Sequence, residues 1–381
     1  FQITLLFCFL FLTIFFKSEA QENTASPNFI FYLADDQDLL DYGVYGNPKV
    51  HTPAVDALAK EGMRFNNFYT SQAICAPSRS QIFTGMHPVK NGCMANHLAV
   101  KPNLKTVITY MEAEGYDVVL AGKGHVKPNS VFNWSKYFKS VNHRYLPLDK
   151  LENYLETTKK PFCVFITSDF PHGPYPKNSS YSNEDIFKLP YDKGYTPNFK
   201  RGYYQNIKDD NTQLELVLNM VKANNLVENS IFIYASDHGI SGKWGVAEQG
   251  LRVPFVVRWP GVVNPNSVSE SLLNFVDILP TFLDIIGAKI PSDIDGKSFQ
   301  ATLKGSQAPV HDYIYSISTR QNIQACKIFP SRAVRGKRYK FIRNYNSMEV
   351  VASNYGNNPA VNAFIKTVSY THLRAHETLD H

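Results

Sequence analysis

Pro27-Asn28 opens into Phe29-Ile30-Phe31-Tyr32-Leu33-Ala34, an unbroken apolar run that stops on the acidic pair Asp35-Asp36. A strand with one wet face would alternate apolar and polar side chains. A run with no polar face needs cover on both sides, as in a parallel sheet packed between helices. Similar runs at 117–120, 163–167, 231–235 and 255–258 predict more strands of the same kind. Between them, Thr52-Pro53 and Gly62 frame a helix, with Thr as N-cap, Pro at the first helical position and Gly at the end. Helices are also predicted over 104–114, 212–224 and 275–286. Strands alternating with helices predict an α/β domain with a mainly parallel sheet. Asp35-Asp36, Lys123, His172 and Asp237-His238 each follow a predicted strand. Ligands of open α/β sheets bind beyond the carboxyl ends of the strands, so these groups point to one shared site.

The 381 residues are 44% hydrophobic and 19% charged, which excludes a largely disordered chain. Five cysteines exclude a small disulfide-built scaffold. The net charge of +6 suits an anionic substrate, and without a Lys/Arg block nucleic acid is not the expected partner. Residues 1–16 are almost wholly apolar and lead to Ser18 and Ala20, so 1–20 is expected to be a secretory signal peptide; an N-terminal membrane anchor is the alternative. No later stretch is long and apolar enough to span a bilayer. The expected location is therefore secreted or the secretory-pathway lumen: extracellular, periplasmic or lysosomal. The sequons Asn133-Trp134-Ser135 and Asn178-Ser179-Ser180 fit such a compartment.

The expected organisation is a catalytic domain over 21–305, then a small C-terminal α+β subdomain over 306–367, built on short strand-like pieces and incomplete. The segment 368–381, with His372, His376 and His381, has no helical or strand period and reads as a non-native tail.

Cys75-Ala76-Pro77-Ser78-Arg79 opens a predicted helix that ends near Gly85. A helix N-terminus favours an anion, and Arg79 lies four residues from Cys75 on the same face. Taken alone, Cys75 reads as a buried structural cysteine before a capped helix. Other motifs accompany it: Thr84-Gly85; Gly115-Tyr116 with Gly122-Lys123-Gly124-His125; Pro171-His172-Gly173-Pro174; and Ser236-Asp237-His238-Gly239 with Lys243, Glu248, Arg252-Val253-Pro254 and Arg258-Trp259-Pro260-Gly261. In this order, from Asp35-Asp36 onward, they resemble the type I, formylglycine-dependent sulfatases. The resemblance covers roughly residues 28–344. Gly122 through Val126 and Pro128 is similar to the heparan N-sulfatase (sulfamidase) branch.

The resemblance implies an alkaline-phosphatase-like α/β fold and a sulfuric ester hydrolase acting on a sulfated carbohydrate. It implies that Cys75 is oxidised to Cα-formylglycine by a formylglycine-generating enzyme. The hydrate would attack sulfur to form a covalent sulfo-enzyme, and its second hydroxyl would drive release. Asp35, Asp36, Asp237 and His238, with the oxidised Cys75, would hold a divalent metal. The carboxylates suit Ca²⁺ first, with Mg²⁺ or Mn²⁺ as alternatives. Lys123 and Lys243 would hold the sulfate oxygens, and Arg79 would orient the hydroxyl or the metal shell. His125 would act as the base in release, and His172 would protonate the leaving group. The rival readings are a phosphodiester or phosphonate monoester hydrolase of the same superfamily and a secreted glycan-binding pseudoenzyme. His51, His87, His97 and His143 are unassigned candidates for substrate contacts.

Overall fold

The computed structural model describes residues 26–188, 199–319 and 330–345. The expected signal peptide, Cys326, the segment 346–367 and the expected tail lie outside the described residues. The largest element is an eight-stranded sheet. In spatial order its strands are Ser267–Ser269, Met63–Phe65, Phe255–Arg258, Ser230–Ser236, Asn28–Asp35, Phe162–Pro171, Asp117–Gly122 and Lys136–Lys139. Only Phe255–Arg258 runs against its neighbours; every other pairing is parallel. The mainly parallel α/β architecture is as the apolar runs require.

Both faces of the strand Asn28–Asp35 are covered. Phe29, Phe31 and Leu33 pack with Ile82 and Phe83 of the helix Cys75–Thr84, Met111 of Val107–Ala113 and Phe282 of Ile278–Ile285. Ile30, Tyr32 and Ala34 pack on the other side with Leu58 of Pro53–Glu61, Leu155 of Leu148–Thr157 and Val217 of Lys200–Ala223. The two-residue period of the strand thus divides one apolar run between two cores. Six tyrosines that could have met sugar rings, Tyr32, Tyr42, Tyr69, Tyr203, Tyr204 and Tyr234, are fully buried in packing. No helix among the described residues is long and apolar enough to cross a membrane.

Some local expectations are corrected. Thr52 precedes the helix Pro53–Glu61, but its hydroxyl makes no cap; it accepts from the N–H of Gly43 at 2.9 Å instead. The helix expected over 212–224 begins at Lys200. Its first half is polar in sequence, yet Tyr203, Tyr204, Asn206, Asp210 and Asn211 are buried there. After 306, the described residues form an antiparallel sheet of Ile314–Ser318, Ser331–Arg335 and Lys340–Asn344.

Asp210 accepts a hydrogen bond from the Tyr32 hydroxyl at 2.7 Å, within the core. Burial pushes it up to about 7, and its hydrogen bonds offset this only in part. An acid with a raised folded-state pKa takes up a proton on folding. That stabilisation is complete below about pH 4, the unfolded value, and is lost as pH rises through about 7. Asp210→Asn should therefore lose less melting temperature than the parent between about pH 5 and pH 8. Parallel curves for the two proteins would contradict this.

Candidate active site

The site lies where the parallel strands end. Ala34 and Ser236 are paired in register, so Asp35-Asp36 and Asp237-His238 leave the sheet side by side. The N–H of Asp237 donates to Ala34 O at 3.0 Å, and that of Asp36 to Asp237 Oδ1 at 3.1 Å. One strand pair away, Gly122 turns the chain into Lys123 with φ +112, and a Cβ there would meet Thr167 O at 2.1 Å. Glycine is required there on both counts.

The helix Cys75–Thr84 is buried along its whole length, starts after the extended residue Ile74 and ends on left-handed Gly85. Cys75 is its first residue. Its Sγ lies 3.4 Å from His238 Nε2 and 4.0 Å from Asp36 Oδ1. Burial would raise the thiol pKa, but Lys243 and His238 outweigh burial and the Asp35 and Asp36 charges, and the thiol sits below its ordinary value.

Arg79, one turn on, ties the strand ends together from full burial. Its Nε donates to Asp237 Oδ2 at 3.1 Å, Nη2 to Asp35 Oδ1 at 3.2 Å and Nη1 to Lys123 O at 3.0 Å. Lys123 Nζ pairs with Asp35 Oδ2 and, at 2.8 Å, with Asp169 Oδ1. Lys243 Nζ grips both oxygens of Asp36 at 2.9 and 2.7 Å. Neither lysine is the solvated surface residue that a lone lysine commonly is.

Two groups of donor atoms, each within 4.8 Å of one another, share Cys75: Asp36, Cys75 and His238, and Asp35, Cys75 and Asp237. Burial works against charge on Asp35, yet Lys123 and Arg79 hold it well below the usual carboxylate range. Asp237 is less well compensated: burial and the Asp35 charge push it up to about 7. The N–H at His238 Nδ1 donates to Gly239 O at 3.2 Å, so Nε2 is the nitrogen turned to Asp36 and Cys75. Burial opposes charge there, but Asp237 and Asp36 raise His238 to about 10. A cation is therefore favoured at this Nε2, a proton or a metal ion. The fixed tautomer, the carboxylates and the under-compensated Asp237 fit a divalent-metal centre.

His172 also reaches the cluster, with Nε2 3.7 Å from Asp36 Oδ2 and the Nδ1–H donating to Gly173 O at 2.8 Å. Burial lowers its pKa, but Asp35 and Asp36 win and raise it. The ring of His125 contacts His97, with His125 Nε2 3.0 Å from His97 Nδ1; among the described residues it makes no hydrogen bond to Cys75. Burial, then Lys123 and Arg79, push His125 down to about 4. His87 is taken up by Ser71 at 2.7 Å, within the framework.

Sequence reasoning passed over Asp169, Arg144 and Asn96. Asp169 pairs with Lys123 and lies 3.6 Å from Arg144 Nη1. It also forms a donor group with Asp35 and His172. An acidic residue in the strand Phe162–Pro171, whose first five residues are apolar, was the available signal. Arg144 donates to His172 O at 3.1 Å and left no sequence signal.

Comparison with known proteins decides the family. The Sulfatase family model matches residues 27–288, and the model "N-sulphoglucosamine sulphohydrolase, C-terminal" matches residues 236–368. This chain belongs to the sulfatase family. The sulfatase is 50% identical over 378 residues to an ulvan-active sulfatase of Formosa agariphila, covering 93% of this chain and 76% of that one. An arylsulfatase of Hemicentrotus pulcherrimus is 26% identical, covering 82% and 68%. A solved structure described as in complex with its substrate D-glucosamine-2-N,6-O-disulfate superposes with TM-score 0.70 at 20% identity, covering 92% of this chain and 98% of that one. A phosphonate monoester hydrolase from Silicibacter pomeroyi superposes with TM-score 0.67 at 16% identity, covering 92% and 95%. At these identities the structural matches establish the fold, which is alkaline-phosphatase-like.

Arg79→Met would leave Asp35 and Asp237 buried without their shared guanidinium. Breaking a buried ion pair from one side costs about 3–5 kcal/mol, and urea unfolding of this sulfatase variant should show a loss of that order. A loss below about 1 kcal/mol, the range of surface pairs, would contradict the role given to Arg79.

Proposed function

We propose that this sulfatase cleaves sulfate esters of a sulfated polysaccharide, with Cys75 oxidised to Cα-formylglycine as the nucleophile and Ca²⁺ held by Asp35, Asp36, Asp237, His238 and residue 75. The observation that carries this reading is the position of Cys75, shared by both carboxylate groups at the head of a buried helix. The ulvan-active relative at 50% identity supports a sulfated polysaccharide of that kind as the substrate class. The apolar run over 1–16 supports a secreted enzyme; Cys75 in its Cys-Ala-Pro-Ser-Arg motif would be matured by a formylglycine-generating enzyme.

Hydrated formylglycine supplies two hydroxyls on one carbon, one to attack sulfur and one whose deprotonation lets sulfate leave. When bound, Ca²⁺ supplies fixed positive charge beside residue 75 and favours an ionised oxygen there. The protein's own groups do the rest. Lys123 and Lys243 present ammonium groups at 16% and 7% side-chain exposure, where charge building on the sulfuryl oxygens is poorly screened. Arg79 holds Asp35 and Asp237 in place. His172 keeps its Nδ1 proton on Gly173 O, so protonation at Nε2 makes that nitrogen the donor to a leaving oxygen. The Asp35 and Asp36 charges favour that protonated form.

Mass spectrometry of the peptide bearing residue 75, coupled to a sulfate-release assay on ulvan oligosaccharides, tests the proposal. Formylglycine mass and sulfate release are expected together, and Cys75→Ala should fold normally without turnover. Lys243→Ala should lower kcat by about 10²–10³, the usual cost of losing one such electrostatic contact. Full activity with an unmodified thiol would overturn the nucleophile. Faster turnover of a matched phosphonate ester than of the sulfate ester would favour the phosphonate hydrolase reading.

A further inference from the structure

The carbonyls of Pro171, His172, Gly173 and Pro174 all end on side-chain donors. Asn206 Nδ2 lies 3.2 Å from Pro171 O, from His172 O and from Pro174 O. Arg144 Nη2 donates to His172 O at 3.1 Å and to Pro174 O at 3.4 Å. Gly173 O takes the Nδ1–H of the His172 ring at 2.8 Å. Two of the four residues are prolines, which bring no N–H to a backbone ladder, so side chains set the shape of this segment. Three carbonyl neighbours also fix the Asn206 amide, because only its NH₂ can face them.

Asn206 is fully buried in the first half of the helix Lys200–Ala223. Gly202, one turn earlier, lets the helix close on the chain beyond the segment: a Cβ there would meet Pro176 O at 2.5 Å. Asp210, one turn later, takes the Tyr32 hydroxyl of the central strand at 2.7 Å. Residues four apart share a helix face, so one stripe of small and polar side chains fastens the helix to the strand and the segment to the helix. Arg144 comes from the turn in which Tyr145 N–H donates to Val141 O at 2.9 Å. Its guanidinium carbon lies 3.9 Å from the centre of the Phe170 ring, and Nη1 lies 3.6 Å from Asp169 Oδ2. Asp169 in turn pairs with Lys123 at 2.8 Å. Pro171 is paired with Asp35 in the sheet, and His172 Nε2 stands 3.7 Å from Asp36 Oδ2, so the clamped segment reaches the carboxylate edge.

We propose that Asn206 and Arg144 are positioning residues that hold His172 where its Nε2 proton meets the leaving oxygen. The inference rests on the sulfatase reading of the same site and leaves the roles given there unchanged. As the S–O bond breaks, its electron pair goes to the leaving oxygen, which takes that proton. The donor must stand within hydrogen-bond reach for this to help. The His172 side chain is 37% exposed, so packing alone does not fix its place. The bonds to the carbonyls on either side of its own Cα do.

A double-mutant cycle on sulfated ulvan oligosaccharides separates this role from a merely structural one. Arg144→Met and Asn206→Ala should each lower kcat by about 10- to 100-fold, part of the roughly 10²–10⁴ that a placed proton donor contributes. Arg144→Lys, which keeps a donor toward the carbonyls, should recover part of the loss. In a His172→Ala background the same two substitutions should cost little more, because the group they act through is gone. Equal losses with and without His172 would overturn the proposal. Arg144 lies outside the apolar cores, so its variants carry the test if Asn206→Ala unfolds. Crystal structures of the variants read the geometry without turnover: the segment 171–174 should shift and His172 Nε2 should leave Asp36. A ring that stays in place would overturn the proposal as well. Failure of the sulfatase reading would appear separately, as absent sulfate release by parent protein carrying formylglycine, and would leave the crystallographic result standing.

Discussion

The structure depends on how negative charge is neutralised at the carboxyl edge of the sheet. Asp35, Asp36 and Asp237 are buried there within a few ångströms of one another. Buried carboxylates are tolerated only when paired and hydrogen-bonded. Arg79, Lys123 and Lys243 supply matching positive charges. The cluster is close to neutral on that count. A divalent ion held by the same carboxylates would leave the site net positive, the condition for drawing in a sulfate ester. One arrangement thus serves folding and substrate attraction.

The rest of the fold keeps that edge in place. Parallel pairing brings the strand ends to one side, and the helix Cys75–Thr84 delivers Cys75 and Arg79 to them from one face. The small antiparallel sheet holds the loop that carries Lys243. Ser318 Oγ donates to Trp244 O at 2.6 Å, and Lys340 Nζ donates to Val246 O and to Glu248 Oε1 at 2.5 and 2.9 Å. The sheet after residue 306 is therefore tied mechanically to the loop that brings Lys243 to Asp36.

The central strands were legible because burial on both faces leaves an unambiguous apolar run, as in Phe29–Ala34. The edge strand Lys136–Lys139 was not, because it is largely exposed and its identity comes from pairing with Asp117–Gly122. The first half of the helix Lys200–Ala223 was hidden for the opposite reason. Its polar residues are buried with hydrogen-bond partners, among them Asp210 with Tyr32, and composition alone cannot distinguish that from a solvated loop. At the site, motif spacing picked out the carboxylates, Cys75, Arg79 and the lysines. Asn96 was opaque because its bond to the helix that carries Cys75 comes from a residue 20 positions away in the chain.

Calcium binding to metal-stripped protein, followed by titration calorimetry, tests most directly whether the carboxylate edge is a cation site beside residue 75. The account predicts one Ca²⁺ per chain and loss of that binding in Asp237→Asn. Parent protein that takes up no stoichiometric Ca²⁺, Mg²⁺ or Mn²⁺ would contradict it.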